Sequence, residues 1–293
     1  SGGLVGSEMC IRDRLENMVI EFQPAQKGWM ENISNYVATL EIGDVMRCNG
    51  IARVLKSKSD NFKKDDIVTG QTCWQTHPIL KDSEIELIED NDMPTAYLGA
   101  LGGTGLTAYF GVTKISKPKP GDTVIVTGAA GGVGSIAGQI FKISGCKVYG
   151  IAGGKDKCEM LIDEFGFDGA VDYKSEDLNE ALKNLCPNGA DIVYDNVGGR
   201  ILNDCLLHLA QNARIAICGI ISRHKTDNMN FGPENYSNLI FKRATMQGFL
   251  VLDYMSEAHV ARKRIKKWIK DGILVCKEDI KEGFENAPDT LKG

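Results

Sequence analysis

The residues best suited to chemistry sit in one stretch, TGAAGGVGSIAG, Thr127 to Gly138, which holds five glycines, three alanines and no charge. So little side-chain bulk leaves main-chain N–H groups bare. Bare amides at the start of a helix, reinforced by the helix dipole, hold an anion such as a phosphate. Two registers fit a dinucleotide loop: residues 129–134 read A-x-G-x-x-G and residues 132–137 read G-x-G-x-x-A. In either one, small residues make a tight turn, let a pyrophosphate approach the backbone and let the helix lie close on the strand.

A second group of residues decides which nucleotide would bind. A site for NAD needs a carboxylate about 20 residues beyond the loop to take the ribose 2′-hydroxyl. That place reads AGGKDKC, residues 152–158. Gly153 and Gly154 leave room there, and Lys155 and Lys157 bring positive charge suited to a 2′-phosphate, so NADP(H) is the expected cofactor. Other chemistries find little support. The nine cysteines include no CxxC pair, and His77, His208, His224 and His259 form no HxxxH or HExxH pair. Neither a zinc site nor a disulfide framework is expected, and several cysteines lie in apolar runs, as buried thiols of a reducing compartment do.

These residues need strands and helices to hold them. From about Pro120 onward, apolar β-rich runs alternate with helical patterns: DTVIVTG, a helix with Val133, Ile136, Ile140, Phe141 and Ile143 on one face, CKVYGIAG, a helix over 155–166, then DIVYDN, RIAICGI and MQGFLV with helices between and after them. Such alternation predicts βαβ units and a parallel sheet covered on both faces. Before Pro120, IGDVMRCNGIARVLKSKSDNFKKDDIVTGQTCWQ carries short β-prone pieces and a polar loop, which predicts a mostly antiparallel β domain. PKPGDTVIV marks the crossing between the two.

Composition agrees with a globular protein. The 293 residues are 43% hydrophobic and 25% charged, with a net charge of −5. An acidic chain does not suit nucleic acid or an anionic membrane surface. The basic run ARKRIKKWIK, residues 261–270, keeps Ile265, Trp268 and Ile269 on one helical face, so its cations read as the solvated face of a helix. No secretory or membrane-spanning segment is evident, and a cytoplasmic location is expected.

Several segments together resemble the zinc-independent medium-chain dehydrogenase/reductases, and within them the prostaglandin reductase, leukotriene B4 12-hydroxydehydrogenase and 2-alkenal reductase group. They are GLTAYFG (105–111), GAAGGVGS (128–135), GCKVYGIAGG (145–154), DYK (172–174), YDNVGG (194–199), RIAICGIIS (214–222), GFLV (248–251) and EGFENAP (282–288), with PAQKGWM (24–30) and IGDVMR (42–47) in the first half. The resemblance implies an α/β fold: a Rossmann doubly wound parallel sheet plus a mostly antiparallel GroES-like substrate domain. The substrate domain would span residues 18–117, the NADP-binding domain 118–272, and 273–293 would begin the return to the first. Residues 1–17 match nothing in that family, and the substrate domain is expected to be truncated at both ends.

The activity implied is NADPH-dependent reduction of the C=C bond of α,β-unsaturated aldehydes and ketones, without a metal and in the cytoplasm. A homodimer is a common state of that family. A quinone oxidoreductase of the same superfamily, and an NADP-binding fragment without turnover, are the alternatives. Carried over by position, Gly131, Gly132, Val133 and Gly134 would hold the pyrophosphate. Lys157 would meet the 2′-phosphate with Tyr173 near it, and Asn196 would reach the cofactor. Cys218, Gly219, Ile220, Ile221 and Ser222 would line the nicotinamide ribose, and Phe249, Leu250 and Val251 would flank the nicotinamide. His224 stands where the family has a tyrosine; it is the candidate catalytic hydrogen-bond or proton donor, with a solvated loop histidine as the alternative reading. Cys218 reads as a small packed residue, since nothing near it in sequence would lower its pKa.

Overall fold

A computed structural model of the chain describes residues 12–30, 37–89, 93–222 and 232–292. The chain divides into two compact units, residues 1–99 with 278–293, and residues 100–277.

In the first unit the described strands are β1 (Arg12–Ile20), β2 (Gly50–Lys56), β3 (Ile67–Gly70), β4 (Ile79–Lys81) and β5 (Ile85–Leu87), with a short helix α1 (Ala25–Trp29) after β1. They form one antiparallel sheet in the order β4-β1-β2-β3-β5. Leu15, Ala52, Val54, Phe62, Val68 and Ile85 make its core. Two register shifts in the β1–β2 pairing interrupt the ladder, and such irregularities strengthen local twist. A C-terminal helix, Ala287–Lys292, belongs to this unit.

The second unit begins with α2 (Gly103–Phe110), which runs on into a π-helical turn over Gly111–Ser116 and stops at Lys117 in the left-handed region. The segment LGGTGLTAYFG is rich in glycine, a poor helix former. Tertiary packing makes up for it. Leu106, Ala108, Tyr109 and Phe110 are buried, Phe110 stacks on Tyr254 with ring centroids 5.1 Å apart, and the Arg264 guanidinium donates to the Tyr109 hydroxyl at 3.0 Å.

Then the alternation unfolds as β6 (Thr123–Thr127), α3 (Gly132–Ile143), β7 (Lys147–Ala152), α4 (Lys155–Asp163), β8 (Gly169–Asp172), α5 (Leu178–Leu185), β9 (Ala190–Asp195), α6 (Gly199–Cys205), β10 (Leu209–Ile217), α7 (Asn238–Lys242), β11 (Thr245–Gly248) and α8 (Ala258–Lys270). Every pairing in this sheet is parallel, and the order is β11-β10-β9-β6-β7-β8. This is the doubly wound arrangement expected from the alternating pattern. Val124, Ile125 and Val126 of β6 are completely buried, as a central parallel strand requires. One strand, β8, is missing from the sequence reading: GAVD is too short and too mixed to stand out. MQGFLV is strand only as far as Gly248, and Val251 already starts a 3-10 turn that runs to Glu257. Among the described residues no helix is long and apolar enough to cross a membrane.

Candidate nucleotide site

In this strand order the chain leaves the sheet in opposite directions after β6 and β9, which pair side by side. The crevice outside the carboxyl ends of such strands is where open α/β sheets bind ligands.

The loop after β6 turns at Gly128, whose φ is +57. The Gly131 N–H donates to the Gly128 carbonyl at 3.0 Å and the Ala129 N–H to the Ile151 carbonyl at 3.0 Å, so the loop is tied to itself and to β7. Helix α3 starts at Gly132 with extended Gly131 as its N-cap and no side-chain cap. Its first bond is Ser135 N–H to Gly131 carbonyl, at 2.9 Å. The N–H groups of Gly132, Val133 and Gly134 therefore have no intrahelical acceptor and are the donors offered at this end. Both sequence registers miss the glycine that sets the turn. Gly128 lies outside each of them, and the spacing that the backbone uses is Gly128, Gly131, Gly134. A Cβ on Gly134 would collide with the Gly128 carbonyl oxygen and come within 2.8 Å of the Ala129 Cα. Further along α3, Gly138 abuts the ring of Phe167, which precedes β8.

After β7 the chain turns through Gly153 and Gly154, the latter at φ +108. Asp172 at the end of β8 organises this turn, accepting from the Gly154 N–H at 2.8 Å, the Lys174 N–H at 3.1 Å and the Ser175 hydroxyl at 2.8 Å. Those bonds, the one from Gly154 foremost, hold its carboxyl below the usual carboxylate range. A Cβ on Gly153 would lie 2.9 Å from Tyr173 Cε1 and 2.8 Å from Lys174 Cε. Tyr173 and Lys174 thus lean over the turn. Lys155 pairs with Glu159 at 3.4 Å, whereas Lys157 is exposed. Lys174 was not singled out in the sequence, yet it brings a second cation to the same place.

The turn after β9 is built around Asp195, a carboxylate with no exposed surface. The Thr127 hydroxyl donates to it at 2.6 Å, the Gly198 N–H at 2.9 Å and the Val197 N–H at 3.2 Å. Thr127 in turn accepts from the Asn196 N–H on its hydroxyl at 2.9 Å and from Asn196 Nδ2 on its carbonyl at 2.7 Å. Burial pushes the Asp195 carboxyl above the usual carboxylate range, outweighing these hydrogen bonds. The clamp joins the ends of β6 and β9. Asn196 Nδ2 braces the clamp from within the turn.

The CGIIS loop lies directly on this turn. The N–H groups of Cys218 and Gly219 donate to the Asp195 carbonyl at 2.8 and 3.1 Å, and that of Ser222 to the Val197 carbonyl at 3.1 Å. A Cβ on Gly219 would come within 2.9 Å of the Asn196 carbonyl oxygen, so only glycine lets the two segments approach this closely. Beside them opens a pocket of 480 Å³ lined by Ile217, Cys218, Gly219, Ile220, Gly248, Phe249, Leu250 and Asp253. Burial pushes the Cys218 thiol up to about 11, with Tyr194 as its hydrogen-bonding neighbour pulling the other way. The thiol is therefore protonated near neutral pH and no nucleophile. Tyr194 is fully buried and donates to the Thr107 carbonyl at 3.2 Å. Behind the pocket, Gly111 leaves room for Tyr194 and for the Phe249 ring, which a Cβ there would meet at 2.6 Å.

The structure thus brings Gly131 to Gly134, Asn196, Cys218 to Ser222, Phe249 and Leu250 to one edge of the sheet, and sets Lys157 and Tyr173 at the β7–β8 end. Val251 lies in the turn beyond Leu250 and does not line the pocket. His224 falls outside the described residues. Thr127 and Asp195 escaped the sequence reading; the one available signal is an aspartate closing an apolar strand, YD, ahead of a glycine turn.

Residues 132–267 match the family model described as zinc-binding dehydrogenase, and residues 14–88 that of the N-terminal domain of oxidoreductase. A putative NADP-dependent oxidoreductase of Bacillus subtilis is 41% identical over 95% of this chain and 83% of its own length. The chain belongs to the medium-chain dehydrogenase/reductases. Other medium-chain relatives include the NADP-dependent 2-alkenal reductase of Nicotiana tabacum, 39% identical over 95% of this chain and 82% of its own. The crystal structure of CurA from Vibrio vulnificus in complex with NADPH superposes with a TM-score of 0.91 at 34% identity, covering 99% of this chain and 88% of that one. Medium-chain members with zinc hold it through clustered cysteine, histidine or acidic ligands. Among the described residues of this chain, no three such side chains stand together in a way that could hold a metal.

Proposed function

We propose that the protein binds NADPH across the β6–β9 crevice and reduces the C=C bond of α,β-unsaturated aldehydes and ketones. The observation that carries the reading is the crevice itself. It has bare amides on α3, cations at the β7–β8 end and an apolar pocket at the ends of β10 and β11, spaced along one sheet edge as a dinucleotide's phosphates, adenosine ribose and nicotinamide would be. The relatives named as an NADP-dependent 2-alkenal reductase and, in Escherichia coli, an NADPH-dependent curcumin reductase, 34% identical, support it.

NADPH, when bound, supplies the hydride that goes to the substrate's β-carbon. The chain's own contribution is positional. The amides of Gly132, Val133 and Gly134 hold the pyrophosphate, and Lys157, with Lys174 and Tyr173, takes the 2′-phosphate. The loop Cys218 to Ser222 shapes the ribose side, and Phe249 and Leu250 with Ile220 give the reacting end an apolar wall. His224 is the candidate proton donor to the resulting enolate. We place the enzyme in the cytoplasm as a homodimer acting on small-molecule enones and enals. The buried thiols Cys48, Cys146, Cys186 and Cys205 suit a reducing compartment.

The test is oxidation of NADPH with a small enone such as 3-nonen-2-one or 4-hydroxynonenal. Turnover of quinones alone would point to the quinone reductases instead, and NADPH binding without turnover to a binding module. Lys157→Ala is expected to raise the Kd for NADPH roughly tenfold while sparing NADH, since a phosphate–ammonium contact is worth about 1.5 kcal/mol. Equal losses for both nucleotides in a calorimetric titration would remove Lys157 from this role.

A further inference from the structure

Of the eight residues lining the pocket, only Asp253 carries a charge. Ile217, Ile220, Phe249 and Leu250 are apolar, Gly219 and Gly248 have no side chain, and the Cys218 thiol is neutral. Local geometry puts Asp253 there. Leu250 is extended, the chain then coils into the 3-10 turn Val251–Glu257, and the Asp253 N–H folds back onto the Leu250 carbonyl at 3.2 Å. The other acid of that turn, Glu257, is occupied with Lys114 at 2.8 Å. Asp253 is exposed, and among the described residues no ion pair or hydrogen bond engages its carboxylate, so its field reaches the pocket screened by solvent and not by a partner.

A nicotinamide ring is neutral when reduced and carries one positive charge when oxidised. A negative charge beside it interacts differently with the two forms. We propose that Asp253 makes the pocket prefer the oxidised nicotinamide ring, so that the positive charge left on the ring as hydride departs is stabilised where it develops. This rests on the NADPH reading of the pocket given above. The electron balance is that of the reduction: two electrons and a proton pass as hydride to the β-carbon, the ring gains its positive charge, and the substrate enolate takes a proton at its α-carbon. Asp253 takes no part in the covalent change. It acts by field alone, in the way that preorganised charge lowers a barrier.

The experiment is calorimetric titration of NADP+ and NADPH into the wild-type protein, Asp253→Asn and Asp253→Glu. A unit charge within a solvent-screened pocket is worth roughly three- to tenfold in affinity. Asp253→Asn is therefore expected to raise the ratio Kd(NADP+)/Kd(NADPH) about three- to tenfold, with the shift shrinking at high salt. Asp253→Glu, which keeps the charge, should hold the wild-type ratio. Steady-state kinetics should show the loss in kcat, since the field matters most as the ring becomes charged. An unchanged ratio in Asp253→Asn, with both nucleotides still binding, overturns the inference and leaves the reductase reading standing. If neither nucleotide binds the wild-type protein, the reductase reading falls and this inference falls with it.

Discussion

Gly134→Ala is expected to lower NADPH affinity by at least a hundredfold and to destabilise the second unit. The methyl group would press on two backbone positions, the Gly128 carbonyl and the Ala129 Cα at 2.8 Å. Neither can rotate away as a side chain could. To make room the loop must lift off α3, giving up the Gly131–Gly128 bond or the Ala129–Ile151 bond. Overpacking of this kind costs about 1–3 kcal/mol, and the same displacement moves the amides that would face the pyrophosphate. Gly131→Ala makes the informative contrast. Its Cβ would sit 3.3 Å from the Gly128 oxygen, with φ at an ordinary −79. It should cost far less stability while still crowding the phosphate side. Thermal melts and NADPH titrations of the two variants separate packing from binding; equal melting temperatures for Gly134→Ala and wild type would refute the steric argument.

Asp195→Ala should be the most destabilising single change at the site. It leaves the Thr127 hydroxyl and the Gly198 and Val197 amides without their buried acceptor. Each abandoned donor costs about 1–3 kcal/mol, so a total near 4 kcal/mol is expected, with loss of NADPH binding because the CGIIS loop rests on this turn. Asp195→Asn keeps one acceptor oxygen and should cost less. The pH dependence gives a second handle. Burial raises the carboxyl's pKa in the folded state, so the folded protein holds this proton more tightly than the unfolded chain does. That contribution to stability is present at low pH, is lost as pH rises from the ordinary carboxylate range through the raised value, and is constant above it. The stability difference between wild type and Asp195→Asn should therefore shrink and then level off as pH increases through that window. A difference that grows with pH would show the carboxylate to be stabilised, not strained, by its surroundings.

The parts of this molecule that were legible in its sequence are those written locally. The parallel sheet follows from apolar runs alternating with helical faces, and the nucleotide crevice from a glycine loop in strand–turn–helix context. The turn glycine itself, Gly128, was hidden because A-x-G-x-x-G and G-x-G-x-x-A both fit the string, and only a backbone angle separates them from the spacing actually used. Helix α2 was hidden because burial of Tyr109 and Phe110 overrides the glycines around them. The Thr127–Asp195 bond was out of reach for a different reason. It joins residues 68 apart, and nothing in either strand's own pattern says which other strand will lie beside it. Lys174 was overlooked because its proximity to Gly153 depends on the fold of β8, a strand too short to be seen.

The clamp at the end of β6 and β9 has a thermodynamic corollary. With Asp195 fastening Thr127 on one side and the CGIIS loop on the other, the span between the helix amides and the apolar pocket is settled when the chain folds. A long, flexible dinucleotide meets a surface that need not rearrange to receive it. The ordering of the protein's side of the complex is then charged to folding rather than to association.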